Sequence, residues 1–172
     1  MKVAVLIANG SEEIEALTPV DVLRRAGVTV DMVGVPCLTV EGSHGIEIKT
    51  NRSVAETNFD EYSAIIVPGG MPGATNISQT QKVIDGLKKA LERGALVASI
   101  CASPAVVLAD NGLIDGFKAT CYPAPQFVKS LGDNYTGANV EIDRNLITAN
   151  GPKSAFEFSL AVCDYLKIQP KF

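Results

Sequence analysis

Three short runs of almost uninterrupted apolar residues constrain the fold of this chain more than any other feature of its sequence. They cover residues 3–8, 64–67 and 95–100, and none of them alternates between apolar and polar side chains. Such runs are typical of strands that are buried on both faces, as in a parallel sheet covered by helices. Further strands are predicted over residues 28–33, 118–121 and 146–149.

Helical segments with short, glycine-containing links separate these strands. The first helix is predicted to begin at Ser11, a good N-cap, and to end at Gly27. Other helices are predicted over residues 78–93, 105–109 and 126–131, and at the C-terminal end of the chain. Residues 37–50 hold two short alternating segments, which predict a small inserted hairpin. This order predicts a single α/β domain over residues 1–172, with a doubly wound, mainly parallel sheet sandwiched by helices.

The composition argues against several classes of function. A net charge of −4 with scattered basic residues gives no footprint for specific nucleic-acid binding. No segment approaches the ~20 apolar residues of a membrane helix, and the N-terminal run is too short for a signal peptide. The four cysteines form no C-x-x-C pair, and the single histidine has no clustered ligands. We therefore expect free thiols, a cytoplasmic location, no membrane association and no metal site.

Cys101 stands where a buried strand runs directly into a helix. Small residues, Ser99 and Ser103, flank it two positions away on each side, and Pro104 suits the first turn of a helix. This pattern is typical of a nucleophile elbow, in which the nucleophile adopts a strained backbone that bulky neighbours would obstruct. A helix N-terminus at this point is expected to lower the pKa of the thiol. The alternative is a buried structural cysteine, which is the role we expect for Cys37, Cys121 and Cys163.

Two other loops, residues 9–15 and residues 68–73, are expected at the same edge of the sheet. Residues 68–73, which include Gly69 and Gly70, offer unobstructed backbone amides for an oxyanion or anion pocket, although a simple tight turn has the same composition. Neither loop has the pattern of a Walker or dinucleotide-binding motif, so no cofactor is expected. Glu15 lies one turn into the first helix among apolar residues, where it needs a hydrogen-bond partner. His44, in the hairpin, is the only candidate for a Cys–His dyad, and a solvated loop histidine is the alternative.

Five motifs in order carry a resemblance to a known family over nearly the whole chain. The chain resembles the ThiJ/PfpI superfamily and, within it, the DJ-one branch, which implies a flavodoxin-like fold and a homodimer. The motifs are GSEEIE (10–15), PVDVLRRAG (19–27), VPGG (67–70), ASICASP (98–104) and NGPKSAFEF (150–158).

The resemblance also implies roles for individual residues. Cys101 matches the family's oxidation-prone nucleophile, and Glu15 matches the glutamate that hydrogen-bonds its sulfur. Gly70 and Ala102 match the residues whose amides form the anion pocket. A further group matches positions near the dimer face and the pocket rim: Arg25, Gly151 and Pro152.

The chain departs from the family pattern at three positions. Tyr122 stands where the family has a histidine facing the cysteine, and tyrosine is a poor base near neutral pH. Ala102 stands where the protease-like branch has histidine, which argues against peptidase activity. His44 stands where related chains often have an arginine near the dimer interface.

Two functions are consistent with these residues. The first is a glutathione-independent glyoxalase or protein deglycase that acts on methylglyoxal or its adducts and is linked to oxidative-stress protection. The second is a non-enzymatic redox sensor or chaperone in which Cys101 oxidises to sulfinate. A flavodoxin-like binding module with an inert cysteine is a third interpretation.

Overall fold

The apolar runs form the centre of a seven-stranded sheet in the computed structural model, which describes residues 1–172. In sheet order the strands are β5-β2-β1-β6-β7-β9-β8, and every neighbouring pair is parallel except β8 and β9. The five central strands have the flavodoxin-like order, so the predicted doubly wound α/β fold is confirmed. The strands are β1 (Lys2–Ala8), β2 (Thr29–Val35), β3 (Thr39–Glu41), β4 (Glu47–Lys49), β5 (Arg52–Ser53), β6 (Ala64–Val67), β7 (Leu96–Ile100), β8 (Val140–Asp143) and β9 (Leu146–Ala149).

Helices cover both faces of this sheet and enclose two apolar cores. The helices are α1 (Glu13–Arg25), α2 (Gly73–Ser78), α3 (Gln81–Glu92), α4 (Pro125–Leu131) and α5 (Ala155–Tyr165), with a π-helical segment over Pro104–Ala109. One core holds side chains of α2, α3 and the π-helical segment, and the other holds side chains of α1 and α5. Alternate residues of β1 enter different cores, which explains why this strand reads as continuously apolar. None of the helices is long and apolar enough to cross a membrane.

The predicted hairpin is confirmed as the antiparallel pair β3–β4, which forms a separate two-stranded sheet. It is fastened to the start of α1 by backbone hydrogen bonds. The amide of Gly10 donates to the carbonyl of Glu41 (2.8 Å), and the amide of Ser43 donates to the carbonyl of Ser11 (2.9 Å). The hairpin is therefore held beside the loop that follows β1.

Three local predictions were wrong, and one further strand was missed. Residues 118–121 form only an isolated bridge, because the amide of Thr120 donates to the Thr148 hydroxyl instead of a neighbouring strand. Residues 78–93 do not form one helix, since Thr80 has extended backbone between α2 and α3. The edge strand β8 was not predicted. Helix α1 is capped by Glu12, because the hydroxyl of Ser11 turns back to accept from the amide of Ala8 (3.0 Å).

Candidate functional site

The loops that follow β1, β6 and β7 meet at one edge of the sheet. Strands β1 and β6 are neighbours there, although the chain passes through α1 and β2 between them. This is the point at which the strand order reverses, and ligands of open α/β sheets bind in the crevice formed there. Each of these connections supplies one candidate residue. Glu15 lies in the first turn of α1, Gly69 follows β6, and Cys101 follows β7.

Cys101 occupies a sharp turn between β7 and the π-helical segment. Its φ of +67° lies in the left-handed region, which a non-glycine residue adopts only at a cost. Its amide donates to the carbonyl of Ala149 (2.9 Å). The neighbouring Ser103 is buried and donates to the carbonyl of Pro68 in a short hydrogen bond (2.5 Å). The turn thus has the strained backbone that the elbow pattern predicts, and it presents a half-buried thiol.

The side chain of Glu15 is buried completely and lies within hydrogen-bonding reach of the Cys101 thiol. Its Oε2 accepts from the amide of Gly69 (2.8 Å), and its Oε1 has no partner in the protein. Burial raises the pKa of the Glu15 carboxyl to about 7, and the nearby charge of Glu12 acts in the same direction. Since Oε2 is already an acceptor, a proton on this carboxyl belongs on Oε1.

Gly69 and Gly70 allow backbone to lie directly against the reactive pair. A Cβ atom at Gly69 would lie 2.6 Å from Cβ of Cys101 and 2.7 Å from Oε2 of Glu15. Gly70 has a φ of +83°, and a Cβ atom there would lie 2.5 Å from the carbonyl oxygen of Gly10. Glycine is therefore required at both positions.

The thiol and the carboxyl are electrically coupled. Burial raises the pKa of the Cys101 thiol to about 12, and an ionised Glu15 adds to this rise by its charge and by accepting a hydrogen bond. The amides of Gly70 and Ala102 act in the opposite direction by hydrogen-bonding the sulfur. The low thiol pKa expected from the sequence is therefore wrong, because burial is the largest cause of the rise. When Glu15 holds the proton, its charge no longer raises the pKa of the thiol, so the thiol and the carboxyl titrate as one unit.

Tyr122, Gly151 and Pro152 lie beside the elbow, at the rim of a cavity of about 350 Å³. The amide of Tyr122 donates to the carbonyl of Cys101 (2.8 Å). Its ring is half exposed and packs over Gly151, where a Cβ atom would lie 3.4 Å from the ring. The rest of the lining consists of Pro123, Asn150 and Lys153.

Arg25 and His44 are not brought to Cys101. Arg25 ends α1, at the opposite end from the site, where it pairs with Asp21 (3.0 Å) and lies over the ring of Phe172. Nδ1 of His44 instead lies 2.9 Å from Oε2 of Glu13 on the hairpin side of α1. Their assignment to a dimer face stays a prediction.

Sequence reasoning did not single out Glu13 as a buried residue. Glu13 is buried, and although burial alone would raise the pKa of its carboxyl, hydrogen bonds from His44 lower it to about 2. The ligand atoms of Glu12, Glu13 and His44 lie within 4.8 Å of one another, so the expectation of no clustered ligands was wrong. The hydrogen bonds from His44 occupy both oxygens of Glu13.

All four cysteines are free, as expected. Cys121 and Cys163 are buried, which fits a structural role, and burial raises the pKa of the Cys121 thiol to about 11. Cys37 is exposed, so the expectation of a buried structural residue was wrong there.

Comparison with known families decides the classification. The model of the DJ-1/PfpI family matches residues 1–165. The chain belongs to the DJ-1/PfpI family. Its resemblance to this family, inferred from five motifs, is thereby confirmed, and family membership supports a DJ-1-like function.

Curated relatives and solved structures agree with this assignment. The chain is 36% identical over 166 residues to Parkinson disease protein 7 homolog of Danio rerio, covering 94% of this chain and 87% of the relative. It is 36% identical to protein DJ-1 homolog B of Arabidopsis thaliana, of which it spans only 37%. The structure of oxidised DJ-1 of Toxoplasma gondii is similar with a TM-score of 0.89 and 38% identity, over 96% of this chain and 90% of that one.

Proposed function

We propose that this member of the DJ-1/PfpI family is a glutathione-independent glyoxalase or protein deglycase that acts on methylglyoxal or its adducts. One observation carries the proposal: a thiol on a strained turn lies against a buried carboxyl whose pKa is raised to about 7. A carboxyl with such a pKa can both give and accept a proton near neutral pH. The backbone amides beside the sulfur can bind the oxygen on which negative charge develops.

The first step of the proposed reaction forms a hemithioacetal. The sulfur of Cys101 attacks the aldehyde carbon of methylglyoxal, and the C=O electron pair moves to the aldehyde oxygen. The amides of Gly70 and Ala102 are placed to bind this oxygen, which takes up a proton from the thiol–carboxyl pair.

The later steps need one group that moves a proton between adjacent carbons. Glu15 removes the C–H proton of the hemithioacetal carbon to give an enediol, and returns a proton to the neighbouring carbon. The resulting lactoyl thioester reacts with water, which restores the thiol and releases lactate. Overall, methylglyoxal and one water give one lactic acid, with no external oxidant or reductant. A peptidase reaction is not proposed.

Because this chain lacks the histidine that faces the cysteine in the family, we assign this proton transfer to Glu15. Tyr122 occupies that position and is 46% exposed. Its hydroxyl can donate or accept one hydrogen bond to a bound carbonyl compound. We therefore assign it to substrate contact at the rim and assign no proton abstraction to it.

The test is lactate production from methylglyoxal without glutathione by the reduced protein. Cys101→Ser is compared with Cys37→Ser, which removes an exposed free thiol that lies in another part of the chain. The expected result is loss of turnover in Cys101→Ser alone. Equal turnover in both variants would contradict the proposed nucleophile.

A redox sensor or chaperone is the second candidate, and the similarity to an oxidised DJ-1 structure favours it. Two molecules of peroxide would convert the Cys101 thiol to a sulfinate and release two waters. The protonated Glu15 and the two amides would then hydrogen-bond the sulfinate oxygens. Intact mass after peroxide treatment should show two added oxygens on the wild type and none on Cys101→Ala. Oxidation spread evenly over the four cysteines would contradict this candidate.

A homodimer and a cytoplasmic location complete the proposal. Three large apolar side chains are half exposed on neighbouring elements: Ile14 on α1, Ile46 in the hairpin and Phe156 on α5. Large exposed apolar side chains are typical of a subunit interface. Sedimentation should show a dimer that Ile14→Glu weakens. The four free thiols fit a reducing compartment.

A further inference from the structure

The cavity beside Tyr122 carries a single charge, and that charge is positive. Its lining of Tyr122, Pro123, Asn150, Gly151, Pro152 and Lys153 contains no acidic residue. Lys153 takes part in none of the ion pairs of the protein and in none of its side-chain hydrogen bonds. The hydroxyl of Tyr122 also makes no hydrogen bond within the protein. Two donors without protein partners therefore lie on the wall of one cavity.

This cavity adjoins the reactive cysteine through the backbone on both sides. The carbonyl of Cys101 accepts from the amide of Tyr122. The amide of Cys101 donates to the carbonyl of Ala149, which precedes Asn150 and Gly151. Backbone segments joined by such hydrogen bonds lie about 5 Å apart. The cavity is therefore lined by the two segments that are hydrogen-bonded directly to the backbone of Cys101.

The opposite side of the site has the opposite charge. A cavity of about 430 Å³ lies beside the hairpin, and its lining includes Glu41 as its one charged residue. The rest of that lining is neutral: Asn9, Gly10, Gly42, Ser43, Met71 and Pro72. An anionic group on a substrate is repelled from that side and attracted to Lys153. In a chain of net charge −4, this asymmetry selects one orientation for an anionic molecule.

We propose that Lys153 is a specificity-determining residue that binds the anionic group of a small dicarbonyl compound whose aldehyde lies at Cys101. This inference rests on the proposed glyoxalase function and specifies its substrate class, an α-oxoaldehyde that carries a carboxylate or a phosphate. Tyr122 supplies a second hydrogen bond to the anion. The ammonium of a lysine on a flexible stem suits either anion as a point charge.

The first test compares two dicarbonyl compounds of equal length. 4,5-Dioxopentanoate is anionic and would yield 2-hydroxyglutarate on taking up one water, and 2-oxopentanal is its neutral counterpart. Lys153→Gln should lower kcat/KM for the anionic compound about fivefold and leave the neutral compound unchanged, a size typical of one solvent-exposed ion pair. Lys88→Gln, which removes an exposed lysine on α3, should change neither value. The preference of the wild type for the anion should weaken in high salt.

A second readout is independent of catalysis. Iodoacetate and iodoacetamide both alkylate the Cys101 sulfur and release iodide, but only iodoacetate is anionic. Lys153→Gln should lower the ratio of the iodoacetate rate to the iodoacetamide rate, whereas Lys88→Gln should leave this ratio unchanged. An unchanged ratio in Lys153→Gln would overturn the assignment. If wild type converts neither dicarbonyl compound but the ratio still falls, the proposed reaction fails and Lys153 remains an anion-binding residue.

Discussion

The Glu15 carboxyl lies against the Cys101 thiol inside the protein, with the amide of Gly69 bound to one of its oxygens. The two groups come from different segments of the chain. Burial raises the pKa of both groups, and Glu15 raises the pKa of the thiol further by its charge, whereas the hydrogen bond from Cys101 lowers the pKa of Glu15. Removal of a proton from one therefore changes the reactivity of the other.

The proton transfer assigned to Glu15 predicts exchange with solvent. When methylglyoxal is converted in D₂O, the lactate should carry deuterium at C2, because the proton taken from the aldehyde carbon passes through a carboxyl that can exchange. Proton NMR of the product measures this directly. Lactate that retains only protium at C2 would contradict exchange of the transferred proton at Glu15.

The raised pKa of Glu15 predicts a pH-dependent stability. The folded state binds this proton more tightly than the unfolded state, so stability from this group is complete below about pH 4.5 and is lost as pH rises through about 7. The loss is about 3 kcal/mol by the size of the shift. Urea unfolding from pH 4.5 to 8 should show this decline in wild type, and Glu15→Gln should flatten it. Parallel curves of unfolding free energy against pH for wild type and Glu15→Gln would contradict the raised pKa of Glu15.

Gly69→Ala should separate the pair. The added methyl would overlap both Cβ of Cys101 and Oε2 of Glu15, so one of them has to move. We expect at least a tenfold loss of lactate production and a loss of about 1–3 kcal/mol in the free energy of unfolding. Gly27→Ala adds a methyl group with no atom within 4 Å, so it costs stability only through its φ of +77° and should keep full activity. Undiminished activity in Gly69→Ala would show that lactate production does not need the close contact between Cys101 and Glu15.

The Glu13–His44 contact predicts the titration of the only histidine. Hydrogen bonding to Glu13, followed by the charge of Glu13, raises the pKa of His44 above its usual 6.5. The stability that this contact contributes is therefore present at acidic pH and is lost as pH rises through the raised pKa. NMR titration of the single imidazole should show the raised value in wild type and a return toward 6.5 in Glu13→Gln. An unchanged pKa of His44 in Glu13→Gln would contradict the Glu13–His44 contact.

The sequence predicts the parts of the fold that depend on local pattern. The buried strands, the hairpin and the strained turn at Cys101 each have a signature in residue type and spacing. The burial of Glu15 follows from its apolar neighbours on the first helix.

The remaining features depend on contacts between distant segments. Residues 118–121 have the composition of a strand, but the Thr148 hydroxyl takes the hydrogen bond that a strand would have formed. Glu13 is buried because the hairpin folds over it, which no pattern near Glu13 indicates. The thiol pKa depends on burial and on Glu15 more than on the helix N-terminus, so its direction required the three-dimensional arrangement.

The measurement that tests the pair most directly is lactate formation from methylglyoxal by wild type and Glu15→Gln, with iodoacetamide labelling of Cys101 in both. Glutamine keeps the shape of the side chain and an acceptor for the amide of Gly69, but it cannot carry the proton. The proposed mechanism predicts that Glu15→Gln loses turnover while Cys101 is still labelled. Full turnover in Glu15→Gln would contradict it.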